Sequence, residues 1–222
     1  MELSNLNIKN GLCISLGANI DSNYGKPIES LIICKPKIEN LIKNWINQSK
    51  SFEKEIESSK TIFYWSSIYE TSPHGVKDDQ PNYLNTLLLV KSKFFPNLTT
   101  NNAKLLLREL KNLERNFGRK KTPNNMKWLS RCLDLDILWW EDFCFKDEEL
   151  ILPHPRFMNR NFVISPLSEV LNRTQTVKKL KNQDGLLINL QNSKLIVRVF
   201  LFKLWKIKNT SKKPFLNKKY LN

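Results

Sequence analysis

Histidine is scarce: His74 and His154 are the only two in 222 residues. The four cysteines, Cys13, Cys34, Cys132 and Cys144, are scattered, with no Cys-x-x-Cys among them. With so few soft ligands no zinc site is expected, and the thiols are expected to be reduced, as in a cytoplasmic protein. Long apolar runs are missing as well. No stretch approaches the roughly 20 residues of a membrane span, and no apolar run follows a basic start, so neither a membrane anchor nor a signal peptide is expected. Gly17 has no companion glycine at phosphate-loop spacing and no Gly-Lys-Ser/Thr, so a strand ending in a tight turn is the better reading there. Acidic residues are the minority, 21 against 36 Lys and Arg, for a formal net charge of +15. Such a balance suits a polyanionic partner: nucleic acid, an anionic membrane or a nucleotide triphosphate. Charge alone does not choose among them.

What is present suits one domain of moderate size, 41% hydrophobic. Residues 12–16 form a short buried strand, with Gly17, Ala18 and Asn19 as its turn. Ile38, Leu41, Ile42, Trp45 and Ile46 make the apolar stripe of a helix whose first turn holds Pro36. Residues 49–60 read as a solvated connection, 61–70 as a strand, and 71–81 as a loop. Residues 83–90 are a second strand, with Tyr83, Asn85 and Leu87 on one face. An Asn inside an apolar strand is costly unless its amide is paired, either by nearby backbone or by the edge of a flat heterocycle. A further helix carries Leu106, Leu110, Leu113 and Phe117, capped by Asn101 or Asn102 and stopped by Gly118. Trp139 and Trp140 read as packing residues, 150–152 as a short strand, and Pro166 as the start of a final helix.

The informative stretch is Leu133-Asp134-Leu135-Asp136-Ile137. Its alternation marks a strand with one buried face and two carboxylates on the other, roughly 7 Å apart. Unpaired, they repel and raise each other's pKa; a hard divalent cation removes that cost. Asp-x-Asp alone is more often an exposed acidic face. Here Arg131 stands just upstream, and Arg119, Lys120 and Lys121 a loop further back. Carboxylates for metal beside cations for phosphate are the parts of a phosphoryl-transfer site. The basic loop 119–131 has few apolar anchors besides Met126, Trp128 and Leu129, which suggests a lid over bound nucleotide. His154, held between prolines and near Arg156 and Arg160, suggests an anion contact.

Taken together, Tyr69 to Gly75, Asp79 to Asn85, Phe117-Gly118-Arg119, Arg131 to Ile137 and Pro153-His154-Pro155-Arg156 resemble the 6-hydroxymethyl-7,8-dihydropterin pyrophosphokinase family in order and spacing. The resemblance implies a ferredoxin-like α+β fold with a mainly antiparallel sheet flanked by helices. It implies transfer of the pyrophosphoryl group of ATP to the pterin hydroxymethyl oxygen, in folate biosynthesis. Matched residue by residue, Asp134 and Asp136 would hold two magnesium ions, with Arg119 and Arg131 as phosphate-binding, catalytic arginines. Glu114, Lys121, Ile137, His154 and Arg160 fall at nucleotide-contacting positions. Tyr83 and Phe162 match the aromatics that sandwich the pterin, Thr71, His74 and Asn85 the groups that bond its edge, and Trp128 a closing tryptophan. ATP and the pterin alcohol would be the partners of a cytoplasmic monomer, with no nucleic acid or membrane.

Two departures stand out. The family pattern Trp-Gly-Pro-Arg-Thr reads Trp128-Leu129-Ser130-Arg131-Cys132 here, and Lys121 replaces a common arginine. The domain is expected to span residues 1–171, followed by a basic extension, 172–222, for which the resemblance offers no role. Two competing readings are a nucleotidyltransferase using the same Asp-x-Asp, and a basic nucleic-acid-binding module on a ferredoxin-like sheet. The first leaves Tyr83 with Asn85 unexplained, the second leaves the aspartates unexplained.

Overall fold

The computed structural model describes residues 11–48, 61–73, 80–120 and 129–173. His74, Lys121, Trp128, most of the expected lid, the connection 49–60 and the extension beyond Arg173 lie outside the described residues. The element order is β1 (Leu12–Ala18), α1 (Pro27–Gln48), β2 (Ile62–Trp65), β3 (Tyr69–Thr71), β4 (Tyr83–Lys91), α2 (Thr100–Asn116), β5 (Asp134–Trp140), β6 (Phe145–Lys146), β7 (Ile151–Leu152) and α3 (Asn161–Arg173). The main sheet runs β2-β4-β1-β5, with β3 also paired to β4, and its pairings are antiparallel. Strands β6 and β7 form a separate hairpin. This is the α+β arrangement the sequence leads one to expect.

Burial follows from alternation. Leu12, Ile14, Leu16 and Ala18 of β1 join Leu88, Val90, Leu135 and Ile137 under the apolar stripes of α1 and α2. On the opposite face Cys13, Leu87, Leu89, Leu138 and Trp139 pack under Val163, Ile164, Leu167 and Val170 of α3. Each fully buried Leu or Ile contributes about 1.5–3 kcal/mol, so both layers matter to stability. Trp139 and Trp140 face opposite sides, as the two cores require. A bulge sets which side each takes: Ile14 pairs with Ile137 and Cys13 with Trp139, leaving Leu138 without a partner on β1. Leu138 and Trp139 therefore both face α3, and alternation restarts beyond them. All four cysteines are free, and burial pushes the Cys13 thiol well up and that of Cys34 to about 12.

Five local expectations change, the last being the final helix, which starts at Asn161 and carries Pro166 inside it rather than at its start. Gly17 and Ala18 belong to β1 rather than to a turn, because both neighbouring strands extend the ladder: Gly17 stands opposite Asn85 and Asp134. The strand expected over 61–70 breaks at Ser66. Its hydroxyl accepts from Leu87 N at 2.9 Å, which takes over the ladder bond there. Helix α1 starts at Pro27, so Pro36 lies inside it. Burial of Leu31 and Cys34 outweighs the one missing backbone bond, and Glu29 accepts from Lys26 N at 2.7 Å at the N-terminus. Thr99, not Asn101 or Asn102, caps α2, accepting from Asn102 N. Gly118 does end that helix, with φ +97°, a conformation that favours glycine.

Candidate active site

Helix α3 covers only part of its sheet face. Along each strand the same face turns polar: Cys13 gives way to Ser15 and Gly17, Leu87 to Asn85 and Tyr83, and Leu138 to Asp136 and Asp134. The register gathers them in rows. Gly17 lies between Asn85 and Asp134, and Ser15 between Leu87 and Asp136. Any side chain at position 17 would start 3.0 Å from Asn85 Oδ1, so glycine leaves the strip over β1 clear.

On the β4 side, Asn85 is 5% exposed and donates through Nδ2 to Thr71 Oγ1 at 2.9 Å. Pairing of β3 with β4 brings the two together, setting Thr71 opposite Tyr83. The half-buried Tyr83 donates to Leu129 O at 3.3 Å. Burial raises its phenol, with Arg131 and Arg119 pulling down and Asp134 pushing up.

On the β5 side the carboxylates are ringed by guanidinium groups. Arg119 meets Asp134 Oδ1 at 2.6 Å, Arg131 binds Asp134 Oδ2, and Arg160 reaches Asp136 Oδ2 at 3.2 Å. Burial alone would raise the Asp134 carboxyl, but Arg131, Arg119 and Lys111 outweigh it and hold it below its ordinary range. Arg160 also lies over the Phe162 ring, 5.5 Å from its centroid. His154 donates its backbone N–H to Leu138 O at 2.7 Å, and its Nδ1 accepts from Arg156 N at 3.2 Å. Burial lowers the imidazole pKa; Asp136 pulls it up, and Arg160 and Arg156 push it down.

Two sequence-predicted residues turn inward. Glu114 is 2% exposed and faces inward, behind Arg119 rather than towards a ligand. Its Oε1 takes the Leu135 N–H at 2.7 Å, Lys111 at 2.9 Å and Arg119 at 2.6 Å. It ties α2 to β5 and fixes the arginine that holds Asp134. Burial raises its carboxyl, against the pull of Lys111 and Arg119. Ile137 is 4% exposed with its side chain in the helix-side core, so that side chain is unavailable to a nucleotide. The structure thus brings together Thr71, Tyr83, Asn85, Arg119, Arg131, Asp134, Asp136, His154, Arg160 and Phe162 on or beside one sheet face, while His74, Lys121 and Trp128 lie outside the described residues. Sequence reasoning missed Asn19, treated as a turn residue, which is 3% exposed and bonded to Pro81, Ser130 and Arg131. No local pattern marks it, since every partner is remote in the chain.

Among the described residues no third His, Cys, Asp or Glu joins the two aspartates in a metal-holding group. Two hard oxygen donors suit a cation that completes its shell with phosphate oxygens and water, as magnesium does. No helix among the described residues is long and apolar enough to cross a membrane.

A family model described as 7,8-dihydro-6-hydroxymethylpterin-pyrophosphokinase matches residues 13–172. A Bacillus subtilis 2-amino-4-hydroxy-6-hydroxymethyldihydropteridine pyrophosphokinase is 36% identical over 115 residues, 52% of this chain and 62% of that protein. A Haemophilus influenzae protein of the same name is 30% identical over 175 residues, 77% of this chain and 90% of its own length. A mitochondrial folate synthesis bifunctional protein of Arabidopsis thaliana is 38% identical over 106 residues, which make up 17% of it. The matched stretch thus spans most of one bacterial relative, under two thirds of the other, and a small part of the plant protein.

Proposed function

The chain belongs to the 7,8-dihydro-6-hydroxymethylpterin-pyrophosphokinase family, and from that premise we propose that it transfers the β,γ-pyrophosphoryl group of ATP to the hydroxymethyl oxygen of 6-hydroxymethyl-7,8-dihydropterin. AMP and the pterin diphosphate are the products, a step of folate biosynthesis carried out by a cytoplasmic monomer. The observation that carries the reading is the division of one sheet face. A recess of Tyr83, Asn85 and Thr71 borders β4, and arginine-ringed Asp134 and Asp136 stand on β5 across the bare strip at Gly17.

Each half suits one substrate. A flat ring with donors and acceptors on its edge wants stacking and an amide partner. Tyr83 and Phe162 supply aromatic faces, and Asn85 with Thr71 the polar edge, joined by His74 and Trp128. A triphosphate wants guanidinium and metal. Arg119, Arg131, Arg160 and Lys121 supply cations, and His154 a neutral imidazole donor. Asp134 and Asp136 would hold two magnesium ions, which would supply charge neutralisation for the phosphates. Glu114 acts from behind by aiming Arg119, and Ile137 borders the nucleotide only through its main chain.

The arginines already occupy the carboxylates; with a cation held at Asp134, Arg119 and Arg131 would be free to pair with phosphate oxygens instead. Phosphoryl transfer asks little covalent chemistry of the protein, so positioning and charge neutralisation carry the rate. No side chain in the recess is assigned as general base. The test is incubation with ATP, magnesium and the pterin alcohol, read by mass. AMP with pterin diphosphate supports the reading; ADP with a pterin monophosphate, or pyrophosphate with a nucleotidylated pterin, overturns it.

A further inference from the structure

Asn19 is where three remote segments meet. It follows β1 directly and is 3% exposed. Its Nδ2 donates to Pro81 O and to Ser130 Oγ, each at 3.2 Å, and its Oδ1 accepts from Arg131 N at 2.7 Å. Its main chain does the rest. Asn19 N donates to Arg131 O at 2.9 Å, joined by Ile20 N at 3.4 Å. Both backbone groups of Arg131 therefore end on residue 19, one on its side chain and one on its main chain. The partners lie 62, 111 and 112 residues away in sequence, so none of these bonds closes a local turn.

An amide this buried is costly unless paired, and here both Nδ2 and Oδ1 are used. Its chemistry is also hard to replace. Asp keeps the acceptor but loses both donors, and Gln carries the amide one methylene too far. What the bonds fix is specific. Arg131 sends its guanidinium to Asp134, and Pro81 leads into β4, which carries Tyr83 and Asn85. Ser130 matters as well, because its hydroxyl gives the clamp a second hold just ahead of the arginine.

We propose that Asn19 is a positioning residue for the transfer: it locks the backbone of Arg131 and holds that arginine in register with the chain entering the Tyr83–Asn85 recess. It touches neither substrate and acts through Arg131. The proposal rests on the pyrophosphoryl-transfer reading for its kinetic consequence but not for its structural one. Misplacing a charge-stabilising group by about 1 Å can cost on the order of 100-fold in rate, so the effect belongs in turnover rather than in binding.

The experiment combines kinetics with amide exchange on the full chain. Asn19→Ala should lower kcat about 10- to 100-fold with KM for ATP changed less than about 3-fold. In an Arg131→Ala background the same substitution should cost less than about 3-fold more, because its route is already cut. The Arg131 amide should exchange at least about 10-fold faster in Asn19→Ala while the amides of Ile14 and Leu88 keep their rates. Ser130→Ala removes one bond of the clamp and serves if Asn19→Ala does not fold; it should speed Arg131 exchange and lower kcat to a smaller degree. Losses that add in the double variant overturn the proposal, as does unchanged kcat in Asn19→Ala, or unchanged Arg131 exchange in either variant. Acceleration spread equally through the sheet overturns it too. A wild-type protein that forms no AMP would instead overturn the pyrophosphoryl-transfer reading, while Arg131 exchange still decides whether the clamp exists.

Discussion

The two ends of one sheet face are built from the same three strands and do opposite things. At the end under α3, Cys13, Leu87, Leu89, Leu138 and Trp139 are dry and close-packed. At the other end the same strands carry Gly17, Asn85, Asp136 and Asp134, with arginines in place of a helix. Backbone pairing is shared, so the ladder that the first end stabilises is the ladder that aligns the second. The difference teaches where the free energy goes. Apolar burial at one end supports a partly buried network of paired charges at the other, whose desolvation it offsets.

Substitutions should separate the two ends. The largest effect is expected at Asp134 and Asp136. Replacing either with Ala should lower turnover at least about 100-fold, since metal-assisted charge stabilisation supplies that much, with circular dichroism close to wild type. A variant near wild-type rate would place the cation elsewhere and erase the chemical half of the contrast. Leu89→Ala at the covered end should do the converse. Loss of about 2–5 kcal/mol in denaturant unfolding is expected for a buried Leu cut to Ala, with kcat nearly unchanged where the protein remains folded. A large kcat loss there would mean that the covered end tunes the site directly.

Asn85→Ala should cost pterin binding roughly 1–3 kcal/mol by calorimetry, the penalty of leaving the ring's polar edge unpaired, and leave ATP binding little changed. Equal weakening of both ligands would dissolve the division into recess and charged row. The smallest effect is expected at the border, where His154 hangs from Leu138 O. Its folded pKa lies below the ordinary value of 6.5. Protonation therefore disfavours the fold: the contribution is full above about pH 6.5 and is lost as pH falls through the folded midpoint. His154→Gln should flatten that limb of the stability curve. The imidazole resonance that vanishes with it should titrate below 6.5 in the wild type, and a midpoint above 6.5 would reverse the sign.

Much of this was legible where the chemistry is local. Period-two alternation put Asp134 and Asp136 on one face, and an amide among leucines flagged Asn85. For Glu114, a position at the edge of a helical stripe does not tell whether a carboxylate turns outward or, as here, inward to Leu135 N and Arg119. Ile137 fell in a matching motif, yet its side chain serves the helix-side core. The start of α1 was missed because Leu31 and Cys34 continue the stripe across Pro36, a residue that reads as a boundary. Asn19 was invisible for a different reason. Its meaning lies wholly in partners brought together by the sheet, and no window of sequence contains them.

The unpartnered Leu138 has a consequence for how such a chain can drift. In an uninterrupted strand, adding or losing one residue turns over everything beyond it. Here the ladder restarts at Trp139 opposite Cys13 after Asp136 has paired with Ser15 and Ile137 with Ile14. The aspartates and the tryptophans are thus two reading frames spliced at one residue. A lineage can resize or repack the Trp139–Phe157 end and absorb the change at that splice. The carboxylates stay facing the same way throughout, so the stable end of the face is free to wander while the chemical end stands still.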